Sequence, residues 1–426
     1  MKEHKPNWLR LDNAAKIYPA AKRRTWTNLF RLSATLTEPV DTAVLQSALE
    51  QTIPRFPSIA VRVRRGMFWY YLEKIKSAPK VEEDIAYPLR HTPFRALRKC
   101  AFRVLYFENR IAVEYFHAIT DGNGGLVFLK TLLAEYLTQK YALSIPSGDG
   151  VLDRHDEPTE GELEDSFLKH EGRVAASRAA PTTYRISGTP ETDGFLHLTT
   201  GILQVPEVLR MAKSYGVTLT ELLTAAMVAA IVEMQNKAVP NPKRQRPVKV
   251  LVPVNLRRLF ESTSLRNFVL FITPGVDPRM GNYTFEEIVK SVHYQMGMEL
   301  SDKVMKTRIT TNVKVEKSIF LKILPLFIKN IAMKAVYNMV GESKSCLAFS
   351  NLGAVKLPAV MERYIQRIDF ILGAQATRPN NCGLLSYQDK LYINLTRNIR
   401  EPVLERAFFS YLVKLGLGVK IESNQR

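Results

Sequence analysis

Apolar positions along the chain alternate with a period of two in short runs and recur every three or four residues in longer ones, and the period changes sharply near residue 117. Ile111, Val113 and Tyr115 alternate with Ala112, Glu114 and Phe116, which predicts a strand. Phe102 to Phe107 reads as its hairpin partner across a tight Glu108-Asn109-Arg110 turn. Past the glycines, Leu126, Phe128, Leu129, Leu132, Leu133 and Tyr136 recur at helical spacing, so a helix is expected to start near Gly124 or Gly125. The segment is therefore a strand, a tight turn and a helix, with His117 at the strand end and Asp121 in the turn.

The same reading organises the rest. Leu45 to Ile53 is a helix, and Ile59 to Arg64 and Met67 to Leu72 are strands. Asp153 to Asp165 carries seven acidic residues with Pro158 and Gly161, and Arg173 to Asp193 is rich in Ala, Ser, Thr and Pro; this interval reads as an exposed crossover or linker. Beyond it, Thr218 with Glu221 and Thr284 with Glu287 have capping-box spacing and open helices. Strands are expected at Val248 to Val254, Phe268 to Ile272, Ser345 to Phe349, Arg367 to Ile371, Gly383 to Tyr387 and Lys390 to Thr396, before a closing helix from Glu401 to Leu415. Helices and strands alternate without strict βαβ regularity, which predicts an α/β chain with mixed sheets. At 426 residues and 46% hydrophobic the chain is too long for one ordinary core, and two domains of about 200 residues each are expected.

A histidine of near-neutral pKa can take the proton from an alcohol or amine as it attacks an acyl carbonyl, and return it to the leaving group. His117 is the candidate general base. Asp121 lies beyond the turn, so it reads as a buried ion-pair partner that fixes the turn. Gly122, Gly124 and Gly125 permit a close approach of other groups to the backbone. The chain has no Gly-x-Ser-x-Gly elbow, Walker loop, Gly-x-Gly-x-x-Gly fingerprint or His-Glu-x-x-His metal site, which removes support for covalent hydrolysis, nucleotide hydrolysis, hydride transfer and metal catalysis.

The pattern His117-x-x-x-Asp121-Gly122 resembles the signature of the chloramphenicol acetyltransferase-like superfamily, which includes alcohol O-acetyltransferases and the condensation domains of peptide synthetases. Leu251-Val252-Pro253-Val254-Asn255-Leu256-Arg257 is similar to its strand ending in a structural arginine, and Phe349-Ser350-Asn351-Leu352-Gly353 to its Ser-Asn-x-Gly strand. Val205 to Ile231 is similar to the helix that begins the second half. The resemblance implies two acetyltransferase-like domains, 1–175 with the motif and 195–426, joined by a crossover at 176–194, with a substrate tunnel between them. It also implies that Arg257, with Arg258 as runner-up, pairs with Asp121. Ser350 and Asn351 either stabilise an oxyanion or form the turn before Gly353. The activity implied is transfer of an acetyl or other acyl group from acyl-CoA to a small alcohol, with acyl-CoA as co-substrate and no permanently bound cofactor or metal. Condensation domains carry two adjacent histidines, and Phe116 holds the first position here. Transfer from a carrier-protein thioester and a non-catalytic binding role are the alternatives.

Net charge is +19, more than one CoA requires. Residues 301–360 hold ten Lys or Arg against three Asp or Glu. Within them Lys317 to Lys334 reads first as a core-packing helix with a solvated lysine face, and alternatively as a helix resting on an anionic membrane. The lysines are not interleaved with aromatic platforms, so no nucleic-acid partner is expected. The most apolar stretch, Ile319 to Val340, is interrupted by Lys322, Pro325, Lys329 and Lys334, whereas a membrane span needs ~20 mainly apolar residues. Met1 to Arg10 lacks a signal-peptide core, and Cys100, Cys346 and Cys382 are too few for a disulfide framework. A monomer in a reducing cytoplasm, with peripheral membrane contact as the alternative, is the expectation.

Overall fold

The computed structural model describes residues 7–21, 28–175, 181–192, 194–317, 323–336, 342–375 and 378–424. The start of the chain, parts of the Arg173 to Asp193 linker and both ends of the Ile319 to Val340 stretch lie outside the described residues.

In chain order the first half holds β1 (Trp8–Arg10), α1 (Ile17–Ala21), β2 (Leu29–Leu36), α2 (Thr42–Thr52), β3 (Val61–Arg65), β4 (Tyr70–Lys74), β5 (Glu82–Glu83), α3 (Phe94–Leu97), β6 (Phe102–Phe107), β7 (Arg110–Phe116) and α4 (Gly122–Tyr141). Two short helices, α5 (Glu160–Leu163) and α6 (Ser166–Lys169), lie on the acidic crossover. The second half begins with β8 (His197–Gln204), α7 (Val205–Ser214), α8 (Leu219–Ala238), β9 (Val248–Asn255), β10 (Val269–Ile272) and β11 (Gly275–Val276). It continues through α9 (Phe285–Glu299), α10 (Asp302–Lys317), α11 (Leu326–Val336), β12 (Leu347–Val355), α12 (Ala359–Glu362) and β13 (Ile365–Leu372), and closes with β14 (Asn380–Tyr387), β15 (Lys390–Arg397), α13 (Val403–Lys414) and β16 (Lys420–Ser423).

Three sheets form. An eight-stranded sheet in the order β10-β9-β12-β14-β15-β8-β16, with β11 also paired to β9, supports the second core; β12 runs parallel to both of its neighbours while the other pairs are antiparallel. A five-stranded sheet, β13-β2-β7-β6-β5, supports the first, and β1-β4-β3 makes a small third sheet. Mixed sheets are thus present, as expected. Strand β13 belongs to the second half in sequence but pairs with β2, with Ile368 opposite Ala34 and Phe370 opposite Leu32, and it contributes Ile365, Ile368 and Phe370 to the first core. A cut at residue 195 therefore divides the chain but not the sheets.

Local chemistry explains the departures from expectation. Helix α4 starts at Gly122, earlier than its apolar spacing suggests, because Asp121 caps it: Oδ1 accepts from the Asn123 and Gly124 N–H groups, both at 3.1 Å. The stretch Val205 to Ile231 is two helices meeting at 82°, since the Thr218–Glu221 capping box starts α8 afresh. The acidic crossover is not wholly exposed: Glu162 is buried against Arg55, its oxygens 2.6 and 2.8 Å from the guanidinium. The short helix α11 turns Lys329 inward and Phe327 and Ile331 outward, contrary at these positions to the solvated lysine face expected, while Lys317 is exposed and Lys322 and the Lys334 side chain lie outside the described residues. No single helix among the described residues is long and apolar enough to cross a membrane.

Candidate active site

The site is built where β7 leaves the first sheet and meets the loop 256–267 of the second half. His117 follows β7, its N–H donating to the Asn28 carbonyl at 2.9 Å, with the ring half-buried. One face of the imidazole stacks on Tyr18 of α1 at 4.6 Å and 25°, and Phe30 of β2 meets it edge-on at 5.2 Å. Its Nδ1 is 3.1 Å from Asn267 Oδ1. The Asn267 amide can be oriented only one way, because its Nδ2 donates to Asp12 Oδ2 at 3.2 Å, leaving the oxygen for the histidine. Asn267 therefore accepts from Nδ1–H, and the lone pair sits on Nε2, which has no hydrogen-bond partner among the described residues. Burial holds the His117 pKa below the usual imidazole value, against the opposing pull of its own backbone, Asp121 and Asn267. The ring is neutral at neutral pH, as a base must be.

Asp12 is buried, and burial pushes its carboxyl up against the nearby Arg266 charge. Its Oδ1 accepts from the Ala15 N–H at 2.7 Å, and Arg266 in turn donates to the carbonyls of Arg10 and Leu163. Leu11-Asp12-Asn13 thus sits under the histidine and holds the asparagine. Sequence reasoning missed Asn267 and Asp12 as site residues: both lie in irregular segments, and only spatial closeness to His117 marks them.

Asp121 and Arg257 come together. Arg257 Nη1 lies 2.9 Å from Asp121 Oδ2, and the same oxygen accepts from the Phe268 N–H at 3.0 Å. With the two cap bonds at Oδ1, the carboxylate is saturated, and its role is to clamp the motif turn to the second half. Arg257 also donates through Nε to the Ser264 carbonyl at 2.6 Å, holding the loop in shape. Arg258 is exposed. The glycines serve this contact. A Cβ on Gly122 would lie 2.7 Å from Leu352 Cδ2, and one on Gly124 would collide with the Leu265 carbonyl and the Thr120 hydroxyl.

Asn351 forms its turn: Oδ1 accepts from the Gly353 N–H at 2.8 Å, Nδ2 donates to Thr220 Oγ1 at 2.9 Å, and Gly353 has a positive φ of 80°. Ser350 is buried on β12 opposite Gly383. Neither side chain hydrogen-bonds His117. Through Leu352 against Gly122 their strand does reach the motif turn. Among the described residues no group of three or more His, Cys, Asp or Glu converges to hold a metal. Two surface concavities, of about 470 Å³ beside Arg185, Arg244 and Arg246 and about 430 Å³ beside Arg64, Arg65 and Arg98, do not include His117.

No known protein-family profile matches the sequence, and no curated protein matches it. Solved structures do. Polyketide synthase associated protein 5 from Mycobacterium tuberculosis superposes with a TM-score of 0.60 at 13% identity, over 96% of this chain and 97% of that one. A variant of the starter condensation domain of rhizomide synthetase in complex with C8-CoA gives 0.60 at 13%, over 96% and 94%. The trichothecene 15-O-acetyltransferase of Fusarium sporotrichioides gives 0.59 at 11%, over 95% and 93%. Such identities establish architecture alone: the chain has the fold shared by these condensation-domain and acyltransferase structures.

Proposed function

We propose that the chain is an O-acyltransferase that moves an acetyl or other acyl group from acyl-CoA to an alcohol by direct transfer. The observation that carries the reading is the His117 ring, fixed at Nδ1 by Asn267 and left with a free Nε2 lone pair. An alcohol hydroxyl gives its proton to Nε2 as its oxygen attacks the thioester carbonyl. The tetrahedral intermediate collapses, the C–S bond breaks, and the CoA thiolate takes the proton back from Nε2, so the histidine ends as it began. Asp121 and Arg257 hold the turn and do not exchange protons. Ser350 is the candidate oxyanion donor, with Asn351 shaping the strand end beside it. No covalent intermediate on sulfur is invoked, since burial raises Cys100 to about 11 and Cys346 to about 12, far from the thiolate form at neutral pH.

Acyl-CoA as donor is supported by the likeness to a fold that binds C8-CoA, and an alcohol acceptor by the likeness to an O-acetyltransferase. The donor is expected to enter between the two lobes, where His117 lies at the seam. A carrier-protein thioester as donor is the second reading, supported by the likeness to condensation domains. The deciding measurement is free-thiol release by the purified chain across a panel of acyl-CoAs and alcohols, with an acylated carrier protein as a parallel donor. Release that needs both substrates and is lost in His117→Ala supports the reading. Turnover with the carrier protein alone moves the donor, and no release with either donor removes the transferase reading.

A further inference from the structure

Helix α11 packs with its polar positions inward. Lys329 is fully buried, its Nζ donating to the Phe68 carbonyl at 3.0 Å and lying 3.8 Å from the centre of the Trp69 ring. Asn330 Nδ2 donates to the Tyr70 hydroxyl at 3.2 Å, and the Leu326 N–H to the Met67 carbonyl at 3.0 Å, so the helix is bound to the turn 66–69 that joins β3 to β4. Among its described side chains, the large ones that face outward are apolar. Phe327 and Ile331 are 59% and 71% exposed, Ile323 just before the helix 68%, and Met67 at the tip of the turn 75%. Phe327 and Ile331 lie four residues apart on the helix and so share one stripe. A surface helix in water does the reverse, burying its apolar stripe and solvating its lysines. Isolated exposed apolar residues are ordinary, but a stripe joined to an apolar turn marks a surface that something covers.

Charge says what covers it. The stripe lies in a basic part of a chain of net charge +19, residues 301–360 holding ten Lys or Arg against three Asp or Glu, and Arg65 next to the turn is exposed. Apolar side chains projecting from a turn and helix, with the exposed Arg65 beside them, suit an anionic lipid surface, into whose headgroup layer they can sink. The position is also informative: α1 packs against α11 and carries Tyr18, the residue stacked on His117.

We propose that α11 and the 66–69 turn dock the protein on an anionic bilayer. Docking stands independently of the transfer reaction; its consequence, that the acceptor is a lipid-soluble alcohol met at the membrane, rests on that reading. The test is co-sedimentation of the full chain with phosphatidylcholine vesicles with and without phosphatidylglycerol, for wild type and a Met67→Ser, Phe327→Ser, Ile331→Ser variant. The wild type should pellet with the anionic vesicles, and the variant should bind at least about tenfold more weakly. The variant's melting temperature and its thiol release with a water-soluble alcohol should be unchanged. Failure of the wild type to bind anionic vesicles, or equal binding by the variant, would overturn the proposal. So would a wild-type dimer in sedimentation equilibrium that the variant abolishes, since a second copy would then be the cover. Vesicle binding without any transfer activity would uphold docking and sink the reaction.

Discussion

Among the described residues, two buried clusters of charged and polar groups stand in contrast, one inside the first sheet and one at the seam. In the sheet, Arg31 of β2 sits 2.7 Å from Asp84 and 2.6 Å from Glu114 of β7, while Arg103 reaches Glu114 at 2.5 Å and Arg110 reaches Asp84 at 3.0 Å. Burial pulls the Glu114 carboxyl up, yet the Arg31 and Arg103 charges outweigh it and leave it below its usual range. Its Oε1 further accepts from the Leu89 N–H at 2.7 Å. All of these groups come from the first half, and each carboxylate is matched by cations. The seam cluster draws Asp12, His117 and Asp121 from the first half and Arg257, Arg266 and Asn267 from the second, and it leaves one imidazole nitrogen uncommitted. Burial and density of charge are common to both, so neither identifies a site; an unengaged lone pair held between two parts of the chain is what supports the proposed one.

The widest separation between the clusters should come from His117→Ala, which is expected to lower the transfer rate by about 10²- to 10⁴-fold with no change in melting temperature. Wild-type turnover by that variant on the true acceptor would erase the distinction. Next come the ion pairs. Asp121→Ala and Arg257→Ala should each cost about 3 to 5 kcal/mol, because the surviving charge is left buried and unpaired, and activity should fall with stability. The double variant should lose much less than the sum, and strict additivity in chemical denaturation would rule out the coupling. Glu114→Ala should cost a similar amount, yet the folded enzyme should keep its turnover; a drop in turnover per folded molecule would tie the sheet cluster to catalysis.

Smaller effects sharpen the seam. Asn267→Ala should lower turnover by about 10- to 100-fold, the usual penalty for losing a group that orients a reacting ring. A purely structural asparagine would not move the pH profile. Asn267→Asp places a negative charge beside Nδ1 and should shift the acid limb to higher pH, whereas Asn267→Ala removes an acceptor and should shift it lower. The subtlest expectation concerns the wild type. Since burial lowers the His117 pKa, the acid limb of kcat/KM should lie below the usual imidazole value, where the imidazole becomes protonated. An acid limb above pH 7 would contradict the burial argument.

How much of this could be read in the sequence follows from how each residue is used. The hairpin, the turn and the helix after it were legible because their apolar residues follow one period and face one core. The pairing of Asp121 with Arg257 was legible through the resemblance alone, since 136 positions separate them in the chain. Strand β2 was overlooked although its signal is present, since Phe30, Leu32, Ala34 and Leu36 alternate with Arg31, Ser33 and Thr35; what the sequence does not show is that Arg31 and Ser33 are buried too, inside the sheet. Strand β8 gives a weaker signal, since Thr199, Thr200 and Gly201 at its middle interrupt the apolar pattern. Asn267 gives no signal, because a lone amide in a loop acquires meaning only from the histidine it faces. The orientation of α11 was misread because periodicity reveals that a helix has two faces but not which of them meets water.

Strand β13 has a consequence for how the protein is made. The edge of the first sheet formed by β2 is covered by a segment that leaves the ribosome only after residue 365. Until then a long, largely apolar strand presents unpaired N–H and C=O groups, the kind of edge that recruits other chains. Closure must wait for a pairing between distant parts of the sequence, which is intrinsically slow. An amino-terminal fragment ending before β13 should therefore aggregate on expression instead of yielding a soluble lobe, and a chaperone that shields the β2 edge should raise the yield of the whole chain.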